Sequence, residues 1–181
     1  MSFTKHIFVD IDETLLHTEI LYSLEHDEVK LKPGQAHLRN WEFPYVASLR
    51  EGALELLKRL REIPNSKVYA LTTSVNVYAN GFNEAFGFGW KPEEIYAREA
   101  LQSKKLFSPA PETLPGKAWL IDDRSAWEQD LKIDFISSVG GHLEPSNYIQ
   151  VTPFFGYACQ HFNEFELERI VSQIRDWQPT T

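Results

Sequence analysis

The apolar run Ile7-Phe8-Val9 stops abruptly at two carboxylates one residue apart, within His6-Ile7-Phe8-Val9-Asp10-Ile11-Asp12-Glu13-Thr14-Leu15-Leu16-His17. Consecutive apolar, partly β-branched residues suit a strand buried on both faces, and such strands belong to parallel sheets covered by helices. In a strand, residues i and i+2 point to the same side, so Asp10 and Asp12 are expected to converge just past its end. Open α/β sheets bind ligands at that end. Neighbouring carboxylates repel each other, so the pair needs a cation, a shared proton or different tasks for its members.

The same design recurs twice. Val68-Tyr69-Ala70-Leu71 reads as a second buried strand and ends in Thr72-Thr73-Ser74, with Ser74 as an expected helix N-cap. Hydroxyls at a helix start make an anion site, because backbone N–H groups and the helix dipole point at the ligand. Ala118-Trp119-Leu120-Ile121 is a third apolar strand, ending in Asp122-Asp123. Between the first two strands, Ala53, Leu56, Leu57 and Leu60 fall at i, i+3, i+4 and i+7, which predicts an amphipathic helix closed by Pro64-Asn65. Near the C-terminus, Asp134-Phe135-Ile136 and Asn147-Tyr148-Ile149-Gln150-Val151 read as outer strands. The last helix is expected to turn Phe165, Leu167, Ile170, Val171 and Ile174 towards the core. Residues 18–47 read as irregular or short-stranded, a small flap or hairpin over the site. Its aromatics, Trp41 and Tyr45 among them, either line a substrate groove or pack on the domain edge.

Composition narrows the class. A chain of 181 residues, 43% hydrophobic and 13% aromatic, can bury a substantial core and is expected to form one domain over 1–181. The formal net charge of −8 argues against broad nucleic-acid or membrane-surface binding. The single cysteine, Cys159, excludes an internal disulfide and fits a reducing compartment, where it reads as a packing residue. Met1 to Lys5 lead straight into the first strand without the pattern of a signal peptide, and no apolar run approaches a membrane span. The expectation is a soluble, cytoplasmic protein.

Asp10-Ile11-Asp12-Glu13-Thr14-Leu15-Leu16-His17 resembles the D-x-D-x-T motif of the haloacid dehalogenase (HAD) superfamily of phosphohydrolases. It is closest to the form found in RNA polymerase II C-terminal-domain phosphatases and NLI-interacting-factor-like proteins. Leu49-Arg50-Glu51-Gly52-Ala53, Leu71 through Asn80, Arg98-Glu99, Asp122-Asp123-Arg124 with Trp127, and Asn147 through Phe155 resemble further stretches of that family, with Glu51 where the family has proline. The resemblance implies a three-layer, Rossmann-like α/β domain with a mostly parallel sheet and no large cap. It implies a phosphatase in which Asp10 is the nucleophile and Asp12 the general acid/base, with Thr72 and Thr73 binding the phosphoryl group. It implies Mg²⁺ held by Asp10, the backbone carbonyl of Asp12 and the Asp122/Asp123 pair, with Asp123 ligating directly and Asp122 acting nearby or through water. The family's phosphate-facing lysine falls on Lys105, or on its neighbour Lys104. The implied partner is a phosphorylated substrate met by a monomer: a phosphoprotein, or alternatively a nucleotide, a polynucleotide end or another small phosphate ester. A non-catalytic phosphate-binding module is the competing class, and loss of Asp10 or Asp12 would be its signature; both are present.

Overall fold

In the computed structural model, which describes residues 4–20, 30–38, 44–102, 114, 116–125, 130–157 and 160–177, strands buried on both faces form the centre. β1 (Lys5–Val9), β5 (Ser66–Leu71), β6 (Ile95–Tyr96), β7 (Gly116–Asp122) and β8 (Gly141–Gln150) make a five-stranded sheet in the order β6-β5-β1-β7-β8. Every pairing in it is parallel. Alternation along each strand feeds two separate cores. Ile7, Val9, Val68, Ala70, Trp119 and Ile121 face one side, and Phe8, Tyr69, Leu71, Ala118 and Leu120 the other. The first side is covered by α1 (Ala53–Glu62), α2 (Asn76–Phe86) and α5 (Glu164–Arg175), the second by α3 (Arg98–Gln102) and α4 (Asp130–Ser138). The result is the expected three-layer α/β architecture.

The chain starts in the middle of the sheet, runs outward through β5 and β6, then crosses back to β7 and β8 on the other side of β1. The direction of winding therefore reverses between β1 and β7. A crevice opens at such a switch point, outside the carboxyl ends of the strands. Asp10 follows β1, and Asp122-Asp123 end β7.

α1 matches its periodicity: Ala53, Leu56, Leu57 and Leu60 are all fully buried, each leucine contributing about 1.5–3 kcal/mol relative to exposure. Its N-cap, Gly52, has φ +83, and a Cβ there would lie 2.7 Å from the Cβ of Phe162. Only glycine permits both the left-handed turn and that contact. The segment between β1 and α1 holds a second, antiparallel sheet, β2 (Leu16–Ile20), β3 (Gln35–Leu38) and β4 (Tyr45–Leu49), ordered β2-β4-β3. Leu16 and Ala47 root it in the main core.

Three expectations are corrected. Residues 134–136 belong to helix α4, not to a strand: Lys132, Phe135, Ile136 and Val139 are the buried series, at i, i+3, i+4 and i+7. Phe165 is 81% exposed, because the buried stripe of α5 is Leu167, Ile170, Val171 and Ile174, and position 165 falls opposite it. Ser74 does not cap α2; the N-cap is Val75, and the Glu99 carboxylate accepts from the Asn76 backbone N–H (2.9 Å). Trp41, Lys104, Lys105, Trp127 and Cys159 lie outside the described residues. Among the described residues, no helix is long and apolar enough to cross a membrane.

Candidate active site at the carboxyl end of the sheet

β1 ends at Val9, and the Asp10 backbone N–H still donates to Ile121 O of β7 (2.9 Å), fixing Asp10 against the neighbouring strand. The chain then turns tightly: Leu15 and Leu16 donate to Ile11 O, Glu13 takes φ +59, and Phe154 donates to Glu13 O (2.6 Å). This loop delivers the Thr14 side chain, fully buried, to the gap between the two acidic strand ends. Thr14 Oγ1 accepts from the Asp123 backbone N–H (3.1 Å). The same oxygen lies 3.3 Å from both Asp10 Oδ2 and Asp123 Oδ1, the two acceptors open to its one hydrogen. Arg50, itself fully buried, pins the loop from behind: its Nη1 donates to Thr14 O (3.2 Å) and Thr152 O (2.9 Å), and its guanidinium lies 3.6 Å from the centre of the Phe162 ring. Burial draws the Arg50 pKa down to about 10, which leaves it charged at neutral pH.

Asp10, Asp122 and Asp123 present carboxylate oxygens within 4.8 Å of one another, all three residues buried. Such a cluster is costly without cations. One cation is Lys132 of α4, whose Nζ lies 2.7 Å from Asp10 Oδ1 and 2.6 Å from Asp122 Oδ2, with the side chain 2% exposed. Burial pulls the Lys132 ammonium down, but the carboxylates of Asp10 and Asp122 outweigh it and hold its pKa above the ordinary lysine value. Asp10 goes the other way: burial, reinforced by Asp122 and Asp12, pushes its carboxyl well up despite Lys132. Asp123 is likewise raised, by burial and then by Asp122. With all three acids ionised, one ammonium leaves two negative charges, which a divalent cation would balance; a bound cation is what would keep Asp10 and Asp123 charged. The donors are all carboxylate oxygens, the set that suits a hard ion such as Mg²⁺.

Asp12 is used differently from its neighbour. Its Oδ2 accepts from Ser74 Oγ (2.6 Å) and Thr72 Oγ1 (3.1 Å), and Thr72 Oγ1 in turn accepts from the Ser74 N–H (3.0 Å). The hydroxyls that end β5 therefore hold an acid rather than an empty helix N-terminus. Thr73, half-buried in the same loop, offers its carbonyl to Arg98 Nε (2.7 Å).

The fold thus brings Asp10, Asp12, Thr72, Asp122 and Asp123 to one end of the sheet, with Thr73 adjoining. Lys105, the expected phosphate-facing lysine, lies outside the described residues. Lys132 and Arg50 are not among the residues the sequence assigns to the site, and Ser74 stands there only as a cap. The first carried a legible signal, a lysine occupying the first position of an otherwise apolar i, i+3, i+4, i+7 series.

No family model matches the chain, and no curated protein does. Among solved structures it is similar to Fcp1, an essential RNA polymerase II CTD phosphatase, at a TM-score of 0.46 and 17% identity, covering 84% of this chain and 42% of that one. Fission yeast RNA polymerase II CTD phosphatase Fcp1 bound to beryllium fluoride gives 0.49 and 15%, over 95% and 50% of the two chains. The chain spans half or less of the length of these neighbours, and at such identities the likeness is one of fold.

Proposed function

We propose that this protein is a Mg²⁺-dependent phosphomonoester hydrolase working through an aspartyl-phosphate on Asp10. The observation that carries the reading is the buried group of Asp10, Asp122 and Asp123 around Lys132 at the switch point of the sheet, with Asp12 held apart by hydroxyls. A carboxylate meant only to end a strand would face water. Here three are kept dry beside a fixed ammonium, an arrangement that makes sense if a divalent cation is to be received and, with it, a phosphoryl group.

In the proposed reaction an Asp10 oxygen attacks phosphorus while the bond to the leaving oxygen breaks, and Asp12 gives that oxygen its proton. Water then attacks phosphorus and the acyl phosphate opens. Asp12 takes the proton from water, and phosphate leaves. Lys132 keeps Asp10 oriented and offsets charge on the transferring group. Mg²⁺, for which Asp10, Asp123 and the Asp12 carbonyl are the intended ligands with Asp122 beside them, would supply charge neutralisation on the phosphoryl oxygens. Without it the nucleophile is poorly poised, since burial already favours the protonated form of Asp10.

The direct test is a phosphatase screen with Mg²⁺ on protein freed of metal. EDTA-treated protein is expected to be silent and Mg²⁺ to restore it, whereas Ca²⁺, with its larger and looser shell, restores little. Full turnover in thoroughly stripped protein removes the metal from the proposal.

Asp12 has its own signature. Asp12→Asn is expected to keep Mg²⁺ affinity, because its ligand atom is a backbone carbonyl, yet to lose most turnover. With a nitrophenyl ester, whose leaving group needs little protonation, the first step is partly rescued and phosphorylated Asp10 accumulates because water attack stays slow. Acid quench and mass spectrometry should reveal one added phosphoryl group. Loss of metal binding without such trapping would make Asp12 a side-chain ligand instead.

A further inference from the structure

We infer that the substrate is a nucleoside monophosphate, its base and sugar lodged in the cavity between the small sheet and α2; this rests on the phosphatase reading. A cavity of about 270 Å³ opens beside Asp12. Of the site's acids only Asp12 is among its described lining residues, and Asp10, Asp122 and Asp123 are not. Asp12 is the acid that serves the departing oxygen, so the cavity lies on the leaving-group side and its lining reads the alcohol half of the ester.

That lining joins polar side chains to aromatic ones. Its polar members are Asp12, Thr18, Ser74 and Arg98, whose hydroxyls and guanidinium are able to meet sugar hydroxyls or base edges. Arg98 spends one donor on Thr73 O, which fixes it in the wall, and a guanidinium carries several more. Its aromatic members are Tyr45, Tyr78 and Phe82. Tyr78 and Phe82 lie nearly parallel on one face of α2 (centroids 6.3 Å apart, 19°), while Tyr45 meets Tyr78 edge-on (4.8 Å, 84°). Aromatic walls of this kind accept a flat ring, and every nucleobase offers a π-face.

Size and closure decide against a polymer. The cavity is slightly smaller than the ~300–1,000 Å³ typical of small-molecule sites, right for one compact ligand. The Tyr78 hydroxyl donates to that of Tyr45, tying α2 to β4 of the small sheet at the wall of this cavity. Burial and that hydrogen bond hold the Tyr78 phenol above its ordinary pKa, so the tie stays protonated at neutral pH. A net charge of −8 also repels polyanions.

The experiment compares kcat/KM with Mg²⁺ for adenosine and cytidine monophosphates, ribose 5-phosphate, phosphotyrosine and a phosphoserine peptide. The nucleotides are expected to lead ribose 5-phosphate by roughly tenfold or more, the scale of a filled apolar pocket. Tyr78→Leu and the exposed-site variant Arg98→Gln should each pull that ratio towards unity. Equal rates for ribose 5-phosphate and the nucleotides, or a lead for the peptide or phosphotyrosine, overturn the inference and leave the phosphatase reading standing. If no ester is hydrolysed, calorimetry of adenosine monophosphate against wild type and Arg98→Gln decides separately. Binding weakened by the variant upholds the cavity's occupant while the phosphatase reading falls, and no binding overturns the occupant as well.

Discussion

Asp10→Asn is expected to abolish turnover while the fold survives. The amide keeps the shape of the carboxylate and lacks its nucleophilic charge, so the loss should approach the ~10⁶-fold seen when a covalent nucleophile is removed. Stability separates this from simple unfolding. In the metal-free wild type, burial raises the Asp10 carboxyl well above its ordinary value. The folded state therefore binds a proton more tightly than the unfolded one, and stability falls as pH rises from about 4 through the raised value. Asparagine has no such titration. Thermal melts without metal should show Asp10→Asn gaining on wild type as pH increases towards neutrality. Added Mg²⁺ should reverse the order, because a ligand stabilises only the protein that binds it. Turnover surviving in the variant removes Asp10 from its role; a variant that melts far below wild type at neutral pH in the absence of metal contradicts the electrostatic account.

The parts of this site that were legible in the sequence are those encoded locally. Ile7-Phe8-Val9, Val68 to Leu71 and Ala118 to Ile121 each had to be buried on both faces, and each ended in polar side chains, so the sheet and its working end followed together. What each polar residue does there depends on elements distant in sequence. Ser74 reads as a cap, since a hydroxyl before a helix usually is one. Its hydroxyl donates instead to Asp12, and Glu99, from α3, accepts from the Asn76 N–H that a cap would have met. Asp10 and Asp12 share a strand end yet have different partners, because the turn at Glu13 and the hydroxyls of β5 divide them. Lys132 was hidden by a wrong period. Asp134-Phe135-Ile136 is too short an apolar run to separate strand from helix, and read as a strand it leaves the lysine outside the pattern.

Lys132→Met is expected to cost both stability and activity, and it decides which lysine serves the site. Methionine matches the length of the side chain but leaves Asp10 and Asp122 buried without their ammonium, which lies 2.7 and 2.6 Å from them. Breaking a buried pair from one side costs about 3–5 kcal/mol, a large share of the ~5–15 kcal/mol that holds an ordinary domain together. The defect is electrostatic, so it should shrink as pH falls and the raised Asp10 carboxyl takes up its proton, and shrink again with Mg²⁺. Lys132→Arg, which keeps the charge, should recover part of the stability. Under Mg²⁺, where Lys132→Met is most nearly folded, kcat should fall by about 10²–10³, as when one preorganised donor is removed from a developing charge. Lys105→Met, measured alongside, is expected to alter neither the pH dependence of melting nor kcat to a comparable degree. If Lys132→Met melts with wild type across the pH range and turns over near the wild-type rate while Lys105→Met is silent, the phosphate-facing lysine is Lys105. Lys132 would then be a dispensable neighbour of the acids it touches.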